Sequence, residues 1–167
     1  MKFNLVPEFV FERFDMATAD FLLSIGVKGV LLDIDNTLEP YEHDVPGEQV
    51  IKWLDSLHSC NIKAAIISNN GKTRVETFNQ TLGLPAYFNA GKPFKKNLLK
   101  AMSDIGVDRE ECIFIGDQIL TDVWAAHNAG IRAILLPPIN DKKDPFTKFK
   151  RLIEKQILKK YTKGNNI

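Results

Sequence analysis

Four short runs of branched aliphatic residues constrain this chain more than any other feature: Gly29 to Ile34 (GVLLDI), Ile62 to Ser68 (IKAAIIS), Glu111 to Gly116 (ECIFIG) and Ile131 to Leu136 (IRAILL). Each is short and apolar enough to be a strand buried on both faces. Between them lie longer stretches with apolar residues at helical spacing. Strands alternating with helices imply a parallel sheet, because a parallel neighbour is reached only through a crossover. A weaker fifth strand is expected near Tyr87 and Phe88.

The crossovers read as helices. Val50, Trp53, Leu54 and Leu57 mark the first, behind Pro46, which suits an opening helical turn. Val75, Phe78 and Leu82 mark a second, with Gly83 placed to end it, and Leu98, Met102 and Ile105 a third that ends at Gly106. A shorter helix is expected from about Asp122 to Ala129, closed by Gly130. Residues 1 to about 27 read as a lead-in of one or two helices, in which Phe21, Leu22 and Ile25 pack before Gly26. Residues 139–145 read as a linker into a final helix over about 145–161. With 167 residues, 44% of them hydrophobic, residues 1–167 suit a single domain: a three-layer, Rossmann-like α/β fold with helices on both faces of a parallel sheet.

Some classes are excluded. Glu8, Glu12 and Asp15 interrupt the apolar N-terminus, and no small-residue cleavage site follows, which argues against a signal peptide. No apolar stretch approaches the roughly 20 residues of a membrane-spanning helix. A cytoplasmic protein is therefore expected. Cys60 and Cys112 lack the C-x-x-C spacing of metal or redox motifs and read as reduced thiols. The net charge of +1 conceals an asymmetry: residues 141–167 hold nine Lys or Arg against three Asp or Glu, so an acidic body carries a basic tail.

In a wound parallel sheet, reactive groups belong at the carboxyl ends of the strands. The first run ends in Asp33-Ile34-Asp35-Asn36-Thr37 and the second in Ser68-Asn69-Asn70. The weak strand leads into Gly91-Lys92-Pro93, and the next run ends in Gly116-Asp117-Gln118 with Asp122 close behind. Bringing Asp33, Asp35, Asp117 and Asp122 to one edge is unfavourable unless a cation neutralises them. Hard oxygen ligands suit Mg²⁺, and no His or Cys in these motifs favours zinc. A carboxylate-held cation beside Lys92 suits phosphate, with Ser68 as hydrogen-bond donor. One carboxylate would attack phosphorus while a neighbour two positions away handles the leaving-group proton.

DIDNT at 33–37, Ser68, Lys92 and GDQILTD at 116–122 resemble, in order and each after a strand, the four motifs of the haloacid dehalogenase superfamily of phosphatases. The resemblance implies that Asp33 is the nucleophile and Asp35 the acid/base, with Mg²⁺ on Asp33, Asp35, Asp117 and Asp122. It implies that Ser68 and Lys92 hold the phosphoryl group and that Thr37 braces the nucleophile loop; Thr37 and Asn69 complete the candidate phosphate site, Asn69 being open between substrate contact and turn chemistry. The gaps between motifs leave no room for a cap domain, as in the uncapped subfamily IIIA. There an open site goes with macromolecular substrates or with homo-oligomers that cover each other's sites. LVPEFVF, VLLDIDNTLEP, ISNN and the GDQxxTD block resemble the bacterial YqeG-type group related to mitochondrial phosphatidylglycerophosphate phosphatase, which implies a lipid phosphate monoester.

From Pro145, Phe146, Phe149, Leu152, Ile153, Ile157 and Tyr161 form one helical stripe among lysines. Packing on the domain is the first reading of such a stripe. Peripheral contact with an anionic membrane, at the inner surface, is the second. Nucleic acid is the least favoured partner. Asp108 reads as a helix cap, and Asp122 has that reading as an alternative. Asn70 reads as turn chemistry, while His58 and His127 read as boundary positions and none of His43, His58 and His127 reads as a catalytic base. A low-activity scaffold that binds membrane or RNA through the basic helix is the alternative to an enzyme.

Overall fold

The structure, a computed structural model, describes residues 5–140 and Lys159. The final helix expected at 145–161 and most of its basic tail therefore lie outside the described residues. Six strands form one sheet: β1 (Phe9–Val10), β2 (Gly29–Leu32), β3 (Lys63–Ile67), β4 (Ala86–Tyr87), β5 (Cys112–Gly116) and β6 (Arg132–Leu135). All pairings are parallel, in the order β1-β6-β5-β2-β3-β4. Five helices accompany them: α1 (Ala19–Ser24), α2 (Glu48–Ser59), α3 (Lys72–Asn79), α4 (Lys96–Ile105) and α5 (Trp124–Ala129).

Alternation along the strands builds two cores. Val30, Leu32, Ile66, Ile113 and Ile115 face α1, α2 and α3 through Leu22, Trp53, Leu57, Val75 and Phe78. Leu31, Ala65, Ile67 and Phe114 face α4 and α5 through Leu98, Met102, Ala125 and Ala126. Each large side chain buried there contributes roughly 1.5–3 kcal/mol of transfer free energy. The expected three-layer α/β fold is what forms, with no cap inserted among the described residues. No helix among them is long and apolar enough to cross a membrane.

The lead-in departs from expectation. Phe9 and Val10 form an edge strand rather than helix, pairing with Ile134 and Leu135. Only α1 is helical in the α sense; Thr18 caps it by accepting from the Phe21 amide at 3.2 Å, and a short 3-10 turn at Phe14–Met16 precedes it. Asp108 stands at the start of another 3-10 turn, Arg109–Glu111, but its side chain makes no cap hydrogen bond. The capping role expected of Asp108 is thus not realised.

Strand order positions the site. From β2 the chain moves outward to β3 and β4, then returns to the other side of β2 for β5 and β6. The carboxyl ends of β2 and β5, where that direction reverses, border a crevice not roofed by crossover connections.

Candidate active site

The pairing of Leu32 with Ile115 extends one step beyond β2, where the Asp33 amide donates to the Ile115 carbonyl at 3.0 Å. The chain then turns sharply. Asn36 adopts a left-handed conformation (φ 61°), and the amides of Thr37 and Leu38 both donate back to the Ile34 carbonyl. A short polar side chain tolerates such a position better than most. The turn aims Asp33 and Thr37 inward, with Thr37 Oγ1 3.5 Å from Asp33 Oδ2.

Among the described residues the buried polar and charged side chains are Asp33, Thr37, Ser68, Lys92, Asp117 and Asp122. All are residues singled out from the sequence, and they converge. Lys92 Nζ lies 2.7 Å from Asp33 Oδ1 and 2.7 Å from Asp122 Oδ1. Carboxylate oxygens of Asp33, Asp117 and Asp122 lie within 4.8 Å of one another. Burial at this level is tolerated only when charges are paired. Here Asp33 and Asp122 share one ammonium, with the Asp117 carboxylate close beside them. Burial, reinforced by Asp122 and Asp35 and opposed by Lys92, pushes Asp33 up to about 7. Burial alone would lower the Lys92 pKa, but Asp122 and Asp33 outweigh it and hold the ammonium charged.

The loops that deliver these groups are tied down. Asn69 accepts from the Lys92 amide at 2.8 Å and donates to the Lys92 carbonyl at 3.1 Å. Its side chain thus clamps the Lys92 backbone. Asn97 donates to the Ala90 carbonyl and Asn128 to the Pro93 carbonyl, bracing the same loop. Ser68 Oγ accepts from the Asn70 amide at 3.1 Å. Asp122 arrives through a widened turn, Ile119–Val123, of π-helical geometry just before α5. It is not the N-cap of an α-helix: its Oδ2 accepts from the Gln118 amide at 3.0 Å inside that turn. Gly116 makes room for it, since a Cβ there would sit 2.5 Å from Asp122 Oδ2.

Asp35 faces a different set of partners. Arg74 Nε and Nη2 both donate to its Oδ1, at 3.1 and 2.8 Å, and Asn70 Nδ2 donates to its Oδ2 at 2.5 Å. Asn70 is therefore more than a turn residue. Arg74 escaped the sequence reading altogether. A signal existed: Lys72 and Arg74 occupy the first turn of α3, where the helix dipole disfavours cations. His127 takes the expected boundary position and meets Glu8 at 3.3 Å, whereas His58 is exposed rather than at the boundary, and the exposed His43 meets Glu39 at 3.0 Å.

A family model for haloacid dehalogenase-like hydrolases matches residues 34–136, taking in every candidate above except Asp33, which immediately precedes it. The chain belongs to this family of hydrolases. Probable phosphatase YqeG of Bacillus subtilis (strain 168) is 36% identical to this hydrolase over 157 residues, which cover 94% of this chain and 91% of that one. Pyrophosphatase PpaX of Halalkalibacterium halodurans is 25% identical over 135 residues, covering 75% and 60%. An uncharacterised protein from Listeria monocytogenes serotype 4b superposes with a TM-score of 0.54 at 20% identity, covering 71% of this chain and 85% of its own. Another, from Corynebacterium glutamicum, gives 0.50 at 17%, covering 79% and 96%. Those two show a shared fold. The hydrolase is a phosphatase that cleaves phosphoric monoesters. Phosphatases of this family use Mg²⁺, and the all-oxygen donor set of Asp33, Asp117 and Asp122 fits such an ion.

Proposed function

We propose that this phosphatase works through an aspartyl-phosphate on Asp33. The observation that carries the reading is the buried Asp33 carboxylate, fixed at 2.7 Å by Lys92 within the group of three acids. Lys92, the Ser68 hydroxyl and the Asn69 main-chain amide hold the phosphoryl oxygens, and Thr37 steadies the nucleophile. An Asp33 oxygen attacks phosphorus as the bond to the leaving oxygen breaks in line, and Asp35 gives that oxygen its proton. Asp35 then accepts a proton from water, whose oxygen takes the phosphoryl group from Asp33 and releases inorganic phosphate. Asp33, Asp117, Asp122 and the Asp35 carbonyl would hold Mg²⁺, which when bound neutralises the phosphoryl charge. Asn69 thus contributes through its backbone, its side chain being spent on Lys92.

The substrate we assign is a large phosphate monoester, a lipid such as phosphatidylglycerophosphate in the first instance. Support comes from the uncapped architecture, the YqeG relationship and the basic residues after 140. The same features support a single domain over 1–167, in the cytoplasm and in peripheral contact with the inner membrane surface, and the uncapped site would also suit a homo-oligomer. Mg²⁺-dependent phosphate release from an aryl phosphate tests the chemistry. Asp33→Asn is expected to cut it by about four orders of magnitude or more with the thermal melt retained. Equal release by wild type and variant would refute the nucleophile, and no release by either would favour the scaffold. Faster turnover of soluble sugar phosphates than of phosphatidylglycerophosphate in vesicles would refute the lipid assignment.

A further inference from the structure

Arg74 is hydrogen-bonded to the carboxylate to which the leaving-group proton is assigned. If Asp35 protonates the departing oxygen, a premise taken from the proposed function above, whatever borders Asp35 also borders the remainder of the ester. Arg74 borders it directly, with Nε and Nη2 committed to Asp35 Oδ1. Its third donor group is not committed. Nη1 is buried and has no hydrogen-bond partner among the described residues. The nearest ion-pair partner is Asp44 Oδ1 at 3.9 Å, beyond hydrogen-bond reach, and the Asp44 side chain is 80% exposed.

The guanidinium is otherwise well fixed. Its Cζ sits 5.5 Å from the Phe78 ring and 5.9 Å from the Tyr41 ring. A buried donor left without a partner is unfavourable, and a planar guanidinium prefers a carboxylate or phosphate oxygen there. An arginine needed only to brace Asp35 would gain nothing from leaving Nη1 in this state.

We propose that Arg74 recognises a second anionic group, a carboxylate or phosphodiester, on the leaving side of the substrate, with Asp44 as its loose stand-in. Recognition of that anion swings Asp44 outward and completes the hydrogen bonding of Arg74. Asp35 stays seated between Arg74 and Asn70, so the same contact that selects the substrate keeps the acid aligned with the leaving oxygen. Esters lacking a second anion leave Nη1 unsatisfied and bind less well.

Steady-state kinetics with Mg²⁺ on three esters test this: glycerol 3-phosphate without a second anion, 3-phosphoglycerate with a carboxylate, and glycerophosphoglycerol phosphate with a phosphodiester. Wild type is expected to favour one anionic ester over glycerol 3-phosphate by about tenfold or more in kcat/KM, and which one identifies the anion. Arg74→Gln should bring that ratio close to one, mainly through KM. Asp44→Asn should raise it, and this variant tests the same contact should Arg74→Gln prove unstable. A wild-type ratio near one would overturn the proposal. So would an Arg74→Gln enzyme that loses rate on all esters with the ratio intact, the outcome of a purely positioning role. Turnover of an aryl phosphate in parallel separates the two claims: if present with a flat ratio, only the anion site fails, and if absent, the hydrolytic mechanism fails with it.

Discussion

Asp33 and Asp35 are two residues apart on one loop, yet they are held in opposite ways. Asp33 turns toward β5 into a buried cluster where Asp33 and Asp122 share the single ammonium of Lys92 and Asp117 lies alongside. Asp35 turns toward α3, where one guanidinium and one amide occupy its two oxygens. The first pocket buries more anions than cations; the second largely buries one of each, its other carboxylate, Asp44, being exposed and 3.9 Å from Nη1. A lysine ammonium is a compact point charge that several carboxylates can share, whereas the arginine fork commits two donors to one carboxylate and leaves Nη1 apart from it. An excess of buried negative charge attracts a divalent cation, and a balanced pair does not. The divergence therefore separates the place where a metal fits from the place where a leaving group can be read.

Removing each cation in turn is the most forceful way to break this comparison. Lys92→Met leaves Asp33 and Asp122 buried without their shared partner and is expected to cost about 3–5 kcal/mol in urea unfolding with chelator present. Mg²⁺ should restore part of that loss. Arg74→Met strands a single carboxylate whose side chain is 12% exposed and is expected to cost about 1–3 kcal/mol, without recovery in Mg²⁺. Equal costs, or equal metal rescue, would mean the two pockets do not differ as described.

A gentler test leaves every charge in place. Gly116→Ala puts a methyl group 2.5 Å from Asp122 Oδ2 and 2.6 Å from its Cβ, so Asp122 must move away from Lys92 and the other acids. The expected cost is about 1–3 kcal/mol of stability. Mg²⁺ affinity, read as the concentration giving half-maximal phosphatase activity, should weaken by about tenfold or more. Because the Asp35–Arg74 pair does not touch Gly116, the selectivity among esters should not change.

The difference in legibility between the two pockets follows from the same contrast. Asp33, Ser68 and Asp117 each follow a strand directly, so finding β2, β3 and β5 located them at one edge. Lys92 and Asp122 follow at short distances and were recognisable by their motifs. Arg74 was not, because its tie to Asp35 spans 39 residues, and a cation in the first turn of α3 does not by itself say which carboxylate it meets. The Asn69 clamp on Lys92 likewise spans 23 residues between two loops and has no periodic trace. β1 escaped notice because two residues cannot display a strand period, and its partner β6 lies near the far end of the described chain. Periodicity reports faces buried within an element; it does not report which loops meet.

A carboxylate outside both pockets supplies the smallest effect and the control for the others. Glu8 Oε2 accepts from the Ala133 amide at 2.7 Å, and His127 lies 3.3 Å from the same side chain, so Glu8 joins the lead-in to β6 and α5. Partial burial works to raise its pKa, but hydrogen bonds from His127 and Ala133 outweigh it and hold the carboxyl below the usual value. A depressed carboxylate stabilises the fold above its unfolded pKa, and that contribution disappears as pH falls through the folded one. Glu8→Gln is therefore expected to cost about 1 kcal/mol at neutral pH, with the gap to wild type closing in acid. Ester selectivity and the Mg²⁺ requirement should be untouched. Were Glu8→Gln to alter the metal dependence as strongly as Gly116→Ala, general loosening of the sheet edge would account for both, and the separate character of the Asp33 pocket would lose its support.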